Sequence, residues 1–279
     1  MATTQKSLQS IEVIITTYNN VRDMRIALEG YLRQTDSSFS LCIADDGSGP
    51  EIKALIEVYR ALGLSIRHIW QVDDGYRRAL ILNKAIASSA ADFIVMTDND
   101  CIPSQYFIAD YRRVMSYDSM FFGRRVDLPG GASQLIRDGK VSLASIEQSW
   151  WLLSQTLKGY LKRPEIAIRF PDFIVKYWNR KPRGAIGANL AVPREALLKV
   201  NGFDADYQGY GMEETDLVWR LEQFGLKIQT MLGRCALFHL YHPEKTQLDT
   251  ATEMFEAKKK QKRIYCLNGI ESMETQHND

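Results

Sequence analysis

A chain of 279 residues, 45% hydrophobic and 25% charged, is long enough to bury a sizeable core and has the composition of an ordinary globular protein. Its net charge of +1 excludes the strongly basic overall balance typical of nucleic-acid binders, so no nucleic acid partner is expected. The cysteines, Cys42, Cys101, Cys235 and Cys266, form no Cys-x-x-Cys pair, which argues against a zinc knuckle or a disulfide framework and fits a reducing compartment. The opening MATTQKSLQS lacks the basic start and apolar run of a secretory leader, and no stretch approaches the roughly 18 apolar residues of a membrane span. The expectation is a cytoplasmic protein, at most peripheral to a membrane.

In chain order, IEVIITTY (Ile11 to Tyr18) is a β-branched run, followed by a segment with Met24, Leu28, Tyr31 and Leu32 at helical spacing. The order recurs: FSLCIA runs into DDGSG and EIKALIEVYRAL, SIRHIWQ runs into DDGYRRALILNKAIASS, and a fourth strand begins FIVMTDNDCIP. Strands alternating with helices predict an α/β fold whose mainly parallel sheet is covered on both faces. Such sheets bind ligands outside the carboxyl ends of their strands, where the acidic clusters fall. Asp45 and Asp46 can accept hydrogen bonds from a base or ribose there, or serve only the turn. Arg77 and Arg78, near a helix start, can meet a diphosphate or stay solvated on the surface.

Asp98 and Asp100 close the fourth strand. If strand geometry persists through the triplet, residues i and i+2 share a face and the two carboxylates converge. Converging carboxylates repel unless a cation offsets the charge, and carboxylate oxygens suit Mg2+ or Mn2+; the alternative is a pair of solvated loop acids. Beyond Met120 the alternation breaks at FFGRRVDLPGGASQ, then a helix is expected over QSWWLLSQTLKGYLKR and a strand over GAIGANLAVP (Gly184 to Pro193). REALLKV reads as a short helix, ETDLVWRLEQF as a helix capped by Gly225, LKIQTM and CALFHLY as strands, and residues 246–279 as a polar tail. Glu213, Glu214 and Asp216 suit the first turn of their helix, but the aromatic, glycine-rich lead-in GYGM also lets backbone approach a ligand. A carboxylate over such a pocket can take a proton from a hydroxyl. His239 and His242 follow the last strand; His242, beyond the apolar run, is the favoured metal ligand, and an imidazole joining carboxylates leans toward Mn2+.

Together ITTYNN, IADDGSG, DDGYRRALILNKAI, DND and GANLAVPREALLKVNGFDADYQGYGMEETDLVWRL resemble the family 2 inverting glycosyltransferases of the GT-A fold, from Ile11 to about Lys245. The last segment is similar to the C-terminal signature of galactosyltransferase-type and chondroitin-polymerase-type domains. The resemblance implies a single GT-A domain over 1–279, with a nucleotide-sugar half (about 11–120) and an acceptor half (about 121–245). It implies donor contacts from Thr17, Tyr18, Asn19, Asp45, Asp46, Arg77, Arg78, Asn83 and Asp98, and metal ligation by Asp100 and His242 with Asp98 beside them. Leu82 stands where many relatives carry Arg, which throws the phosphate contact onto Arg77 or Arg78. Glu214 takes the place of the family's catalytic Asp, Glu213 binds sugar hydroxyls, and Tyr210, with Gly211 and Asn189, lines the acceptor side. The implied reaction is transfer from a nucleotide sugar, UDP-linked by expectation, to a glycan or lipid-linked glycan hydroxyl, with Mn2+ or Mg2+. A nucleotidyltransferase and a non-catalytic carbohydrate-binding or scaffold domain are the alternatives.

Overall fold

The computed structural model describes residues 9–161, 163–180, 188–243 and 249–275. Strand and helix alternate at first: β1 (Ile11–Thr17), α1 (Val21–Leu32), β2 (Ser40–Asp45), α2 (Pro50–Ala61), β3 (Ile66–Trp70), α3 (Arg78–Ala87) and β4 (Phe93–Asp98). Shorter elements follow: β5 (Cys101–Pro103), α4 (Phe107–Val114), β6 (Ser119–Phe122), β7 (Arg125–Asp127), α5 (Gly130–Arg137), α6 (Leu143–Ile146), α7 (Ser149–Leu157), a 3-10 turn at Pro164–Ile166 and α8 (Asp172–Trp178). The last third holds β8 (Asn189–Pro193), α9 (Arg194–Lys199), α10 (Glu213–Phe224), β9 (Lys227–Thr230), β10 (Leu237–His239), α11 (Asp249–Lys260) and α12 (Ile270–Thr275).

The main sheet has the order β3-β2-β1-β4-β8-β6-β9. β8 runs antiparallel to both its neighbours, and the other pairings are parallel. Because successive strand residues face opposite ways, β1 feeds two cores. Val13 and Ile15 pack with α1, α2 and α4, while Ile14 packs with α3, α9 and α10. Burial on both faces is why the central strands read as unbroken apolar runs. A second sheet, β5-β10-β7, covers a third cluster that includes Ile102, Val126 and Phe238.

Two expectations change, and a third is only partly visible. The helix expected to reach Arg163 stops at Leu157, because Gly159 is left-handed (φ +74) and its N–H turns back to the Thr156 carbonyl at 2.9 Å, closing the helix end. The strand expected from Gly184 is seen from Asn189; residues 184–187 lie outside the described residues. In the stretch expected as a polar tail, α12 packs against α3 and buries Ile270 in the same core as Ile81 and Leu82.

Candidate active site

The acidic triplet does not continue the strand. β4 ends at Asp98, and Asn99 and Asp100 turn into β5. The turn still leaves carboxylate oxygens of Asp98 and Asp100 within 4.8 Å of each other. Asp100 meets the two histidines: its Oδ2 lies 3.2 Å from His242 Nε2 and 3.6 Å from His239 Nε2. The two Nε2 atoms are 3.2 Å apart, with the rings nearly perpendicular.

The other nitrogens of these rings are both committed. His239 Nδ1 bonds Asp127 Oδ1 at 3.0 Å, and His242 Nδ1 bonds the Pro243 carbonyl at 2.7 Å. Since both partners only accept, each Nδ1 carries hydrogen, and each Nε2, protonated or not, is turned toward the other and the Asp100 carboxylate. Electron-rich atoms converge in this way only around a positive species, whether protons or a cation. The protons show their effect: burial works against charge on His239, but the bonds to Asp100 and Asp127 outweigh it and raise the ring to about 9. His242 is raised chiefly by its bond to Asp100, and Asp100 is held well below the usual carboxylate range. The donor set of one carboxylate and two imidazoles fits a divalent transition ion. A second grouping, Asp98, Asp100 and Cys101, fits less well, since burial pushes the Cys101 thiol well up and keeps it neutral.

Beside this cluster Arg78, the first residue of α3, joins the end of β4 to the start of α10. Its guanidinium bonds Glu214, lies 3.1 Å from Asp98 Oδ1 and stands 3.9 Å from Glu213. The Thr16 hydroxyl donates to the same Asp98 oxygen at 2.7 Å, from the position opposite it in the β1–β4 ladder. Burial pushes the Glu214 carboxyl up; Arg78 opposes this, Glu213 and Asp98 reinforce it, and the group settles at about 7. α10 begins directly after Gly209, Gly211 and Met212, all with positive φ. That lead-in folds back so that Glu213 Oε2 accepts the Gly211 N–H at 2.9 Å. Tyr76 lies edge-on to the half-exposed Tyr210, ring centres 6.5 Å apart, and bonds Glu213 at 3.5 Å.

The remaining expected residues divide. Thr17 ends β1 and Tyr18 and Asn19 follow it, where Asn19 meets the loop after β2: its N–H donates to Ser48 Oγ and its Oδ1 accepts from Gly49. The Thr17 hydroxyl accepts from Asn99, and Tyr18 donates to Asp73. Asp45 holds His68 and the Ser48 N–H, and Asp46 holds Gln71 and the Arg77 N–H, so both shape the rim through internal bonds. The Arg77 side chain turns to Asp74 and the Val72 carbonyl, away from the acids that Arg78 meets. Asn83 and Asn189 require correction. Each is fully buried: Asn83 clamps both backbone polar groups of Phe203, and Asn189 bridges Tyr111, Arg124 and Cys235. Neither has surface to offer a sugar. Tyr76 and Asp127 were not foreseen; an aromatic between DDG and the two arginines was the available signal for the first, and none existed for the second.

The description "Glycosyl transferase family 2" matches residues 12–191, and "N-terminal domain of galactosyltransferase" matches residues 166–243. Chondroitin synthase of Escherichia coli is 21% identical over 264 residues, covering 89% of this chain and 37% of that protein. Hyaluronan synthase of Pasteurella multocida is 24% identical over 260 residues, covering 87% of this chain and 25% of that protein. The chain thus spans only about a quarter to two fifths of the length of these relatives. Among solved structures, the mannosyltransferase PcManGT from Pyrobaculum calidifontis in complex with GDP-Man and Mn2+ matches with a TM-score of 0.56 at 14% identity, over 89% of this chain and 61% of that one. GalNAc-T7 with UDP, GalNAc and Mn2+ matches with a TM-score of 0.60 at 13% identity, over 87% and 46%.

Proposed function

The chain belongs to glycosyl transferase family 2 and has the GT-A fold, and from that premise we propose that it is a metal-dependent, inverting transferase. It moves a sugar from a UDP-sugar to a hydroxyl of a glycan or glycolipid acceptor in polysaccharide assembly, as a single domain over 1–279. The observation that carries this reading is the span made by Arg78, which links Asp98, beside the Asp100–histidine cluster, to Glu214 at the start of α10. A prospective base and a prospective cation site are thereby tied together through one side chain at the carboxyl end of β4.

Each group has a task. Asp100, His239 and His242 are the prospective ligands, with Asp98 adjoining them. A divalent ion held there supplies Lewis acidity for the negative charge gathering on a leaving diphosphate. The loops after β1 and β2 form the nucleotide rim, with Thr17, Tyr18 and Asn19 on one side and Asp45 and Asp46 fixing the other. Arg78 is a cation that a phosphate oxygen would meet by taking the place of one of its carboxylate partners. Glu214, raised to about 7, is half ionised there and more so above it, and is basic enough to take the acceptor proton as the new bond forms. One displacement by that hydroxyl inverts the anomeric carbon. Tyr210 offers an aromatic face to a sugar ring, Gly211 lets backbone come close, and Glu213 offers oxygens to its hydroxyls.

Family membership displaces the nucleotidyltransferase alternative, and a mere binding domain has no use for a base held near neutrality. No helix among the described residues is long and apolar enough to cross a membrane. For a lipid-linked acceptor we assign peripheral contact, at the cytoplasmic membrane face, to the exposed Trp150, Leu153 and Leu157 of α7, which lie on one side of the helix with Lys158 at its end. The test of the donor is a panel of UDP-sugars and GDP-mannose with Mn2+, scored by thermal stabilisation and nucleotide release. One UDP-sugar should stand out and lose its effect in chelator. A response to GDP-mannose alone moves the donor class, and undiminished activity in excess chelator removes the metal from the reaction.

A further inference from the structure

In the small sheet, β10 lies between β5 and β7. Antiparallel pairing sets His239 opposite Cys101, the residue after Asp100, and parallel pairing sets the same histidine opposite Asp127. The ring is flanked by a carboxylate on each side, with Asp100 Oδ2 3.6 Å from Nε2 and Asp127 Oδ1 3.0 Å from Nδ1. Resting on the metal-dependent reading above, we propose that Asp127 is a positioning residue for the cation site: it holds the Nδ1–H of His239 and so presents the Nε2 lone pair, beside Asp100 and His242, as a metal donor.

The physical need is specific. A histidine without a fixed partner can present either nitrogen and either ring orientation, and an acceptor on one nitrogen selects the tautomer and aims the other. An anionic acceptor also makes the far nitrogen a better donor to a metal. Asp127 is itself held, since Arg125 Nε lies 3.0 Å from its Oδ1. The ladder register fixes all three residues: His239 cannot slip by one place without losing Asp127 and turning away from Asp100. His242 has only a neutral carbonyl behind it. Asp127 therefore distinguishes His239 as the ring with a carboxylate at its back, and its side chain, 69% exposed, can be changed without opening the core.

The experiment is Mn2+ titration of the full chain without nucleotide, following the electron paramagnetic resonance signal of free Mn2+. Asp127→Asn should bind about ten- to a hundredfold more weakly, the usual range for loss of a metal-site outer partner. Asp127→Glu, which keeps the anion on a longer arm, should recover part of the loss. Asp118→Asn, at an ion pair with Lys227 where β6 and β9 begin at the edge of the main sheet, should bind as the parent does. The visible spectrum of the Co2+-loaded protein should shift in Asp127→Asn, a change that a purely structural carboxylate would not cause. Parent-like affinity and an unshifted Co2+ spectrum in Asp127→Asn, alongside lost binding in Asp100→Asn, would overturn the role of Asp127 and leave the metal site standing. A parent chain that takes up neither ion would remove the metal site and this inference together.

Discussion

Glu214 is pulled in two directions. Burial and the neighbouring Glu213 and Asp98 carboxylates favour its neutral form, while Arg78 favours the ion, and the balance leaves it at about 7. A base must be ionised to work, so kcat/KM should fall as pH drops below about 7 and level off above it. The same shift has an opposite sign for stability. The folded value lies above the ordinary 4.5, so between those values the folded chain holds more of the proton, and its stabilising effect is lost as pH rises through about 7. Glu214→Gln keeps the neutral form at every pH. It should therefore raise the melting temperature more at pH 8 than at pH 5, while transfer falls by about a hundredfold to ten-thousandfold. A variant with ordinary turnover, or one whose melting temperature changes equally at both pH values, contradicts this account of the site.

The elements differ in how far the sequence exposes them. β1 and β2 are long, buried on both faces and followed by amphipathic helices, and β4 is a similar apolar run, so periodicity alone locates them and the ends at which such sheets bind ligands. β5, β7 and β10 have three residues each, too few to show a period, and their sheet is assembled from segments more than a hundred positions apart. Hence Asp100 and His242 were legible as chemistry, whereas the place of Asp127 behind His239 was not. Asparagine misleads for a related reason: a polar residue near a family motif looks like a contact, yet Asn83 is sealed between α3 and the turn after α9. The turn admits it because Gly202 has φ +69; a Cβ there would come within 2.3 Å of the Asn83 Oδ1. Asn83→Ala leaves the buried Phe203 N–H without its acceptor, and should cost about 1–3 kcal/mol in urea unfolding. Nucleotide-sugar stabilisation of the folded variant should match that of the parent; a selective loss of donor binding would restore Asn83 to the donor site.

Across the whole molecule, the prospective cation cluster and the base are built by different parts of the chain, so the site depends on how α10 is fixed to the rest. Arg220 does this. It is 1% exposed, bonds Asp216 one helical turn earlier at 2.7 Å, and donates to the Val200 and Gly202 carbonyls at 2.8 and 2.9 Å. Those carbonyls belong to the turn whose next residue, Phe203, is clamped by Asn83 of α3, the helix that begins with Arg78. Arg220 and Arg78 thus secure the same two helices at separate points, one through the buried turn and one through the Arg78–Glu214 ion pair. Arg220→Met preserves much of the volume but leaves Asp216 buried without its cation and two carbonyls without their donor. The expected loss is about 3–5 kcal/mol, measured by denaturant unfolding. Mn2+ affinity should remain near the parent's in the folded variant, because the cluster rests on β5 and β10, while transfer should fall as Glu214 loses its fixed distance from that cluster. Equal losses of Mn2+ affinity and transfer would show instead that the cluster and α10 unfold as one.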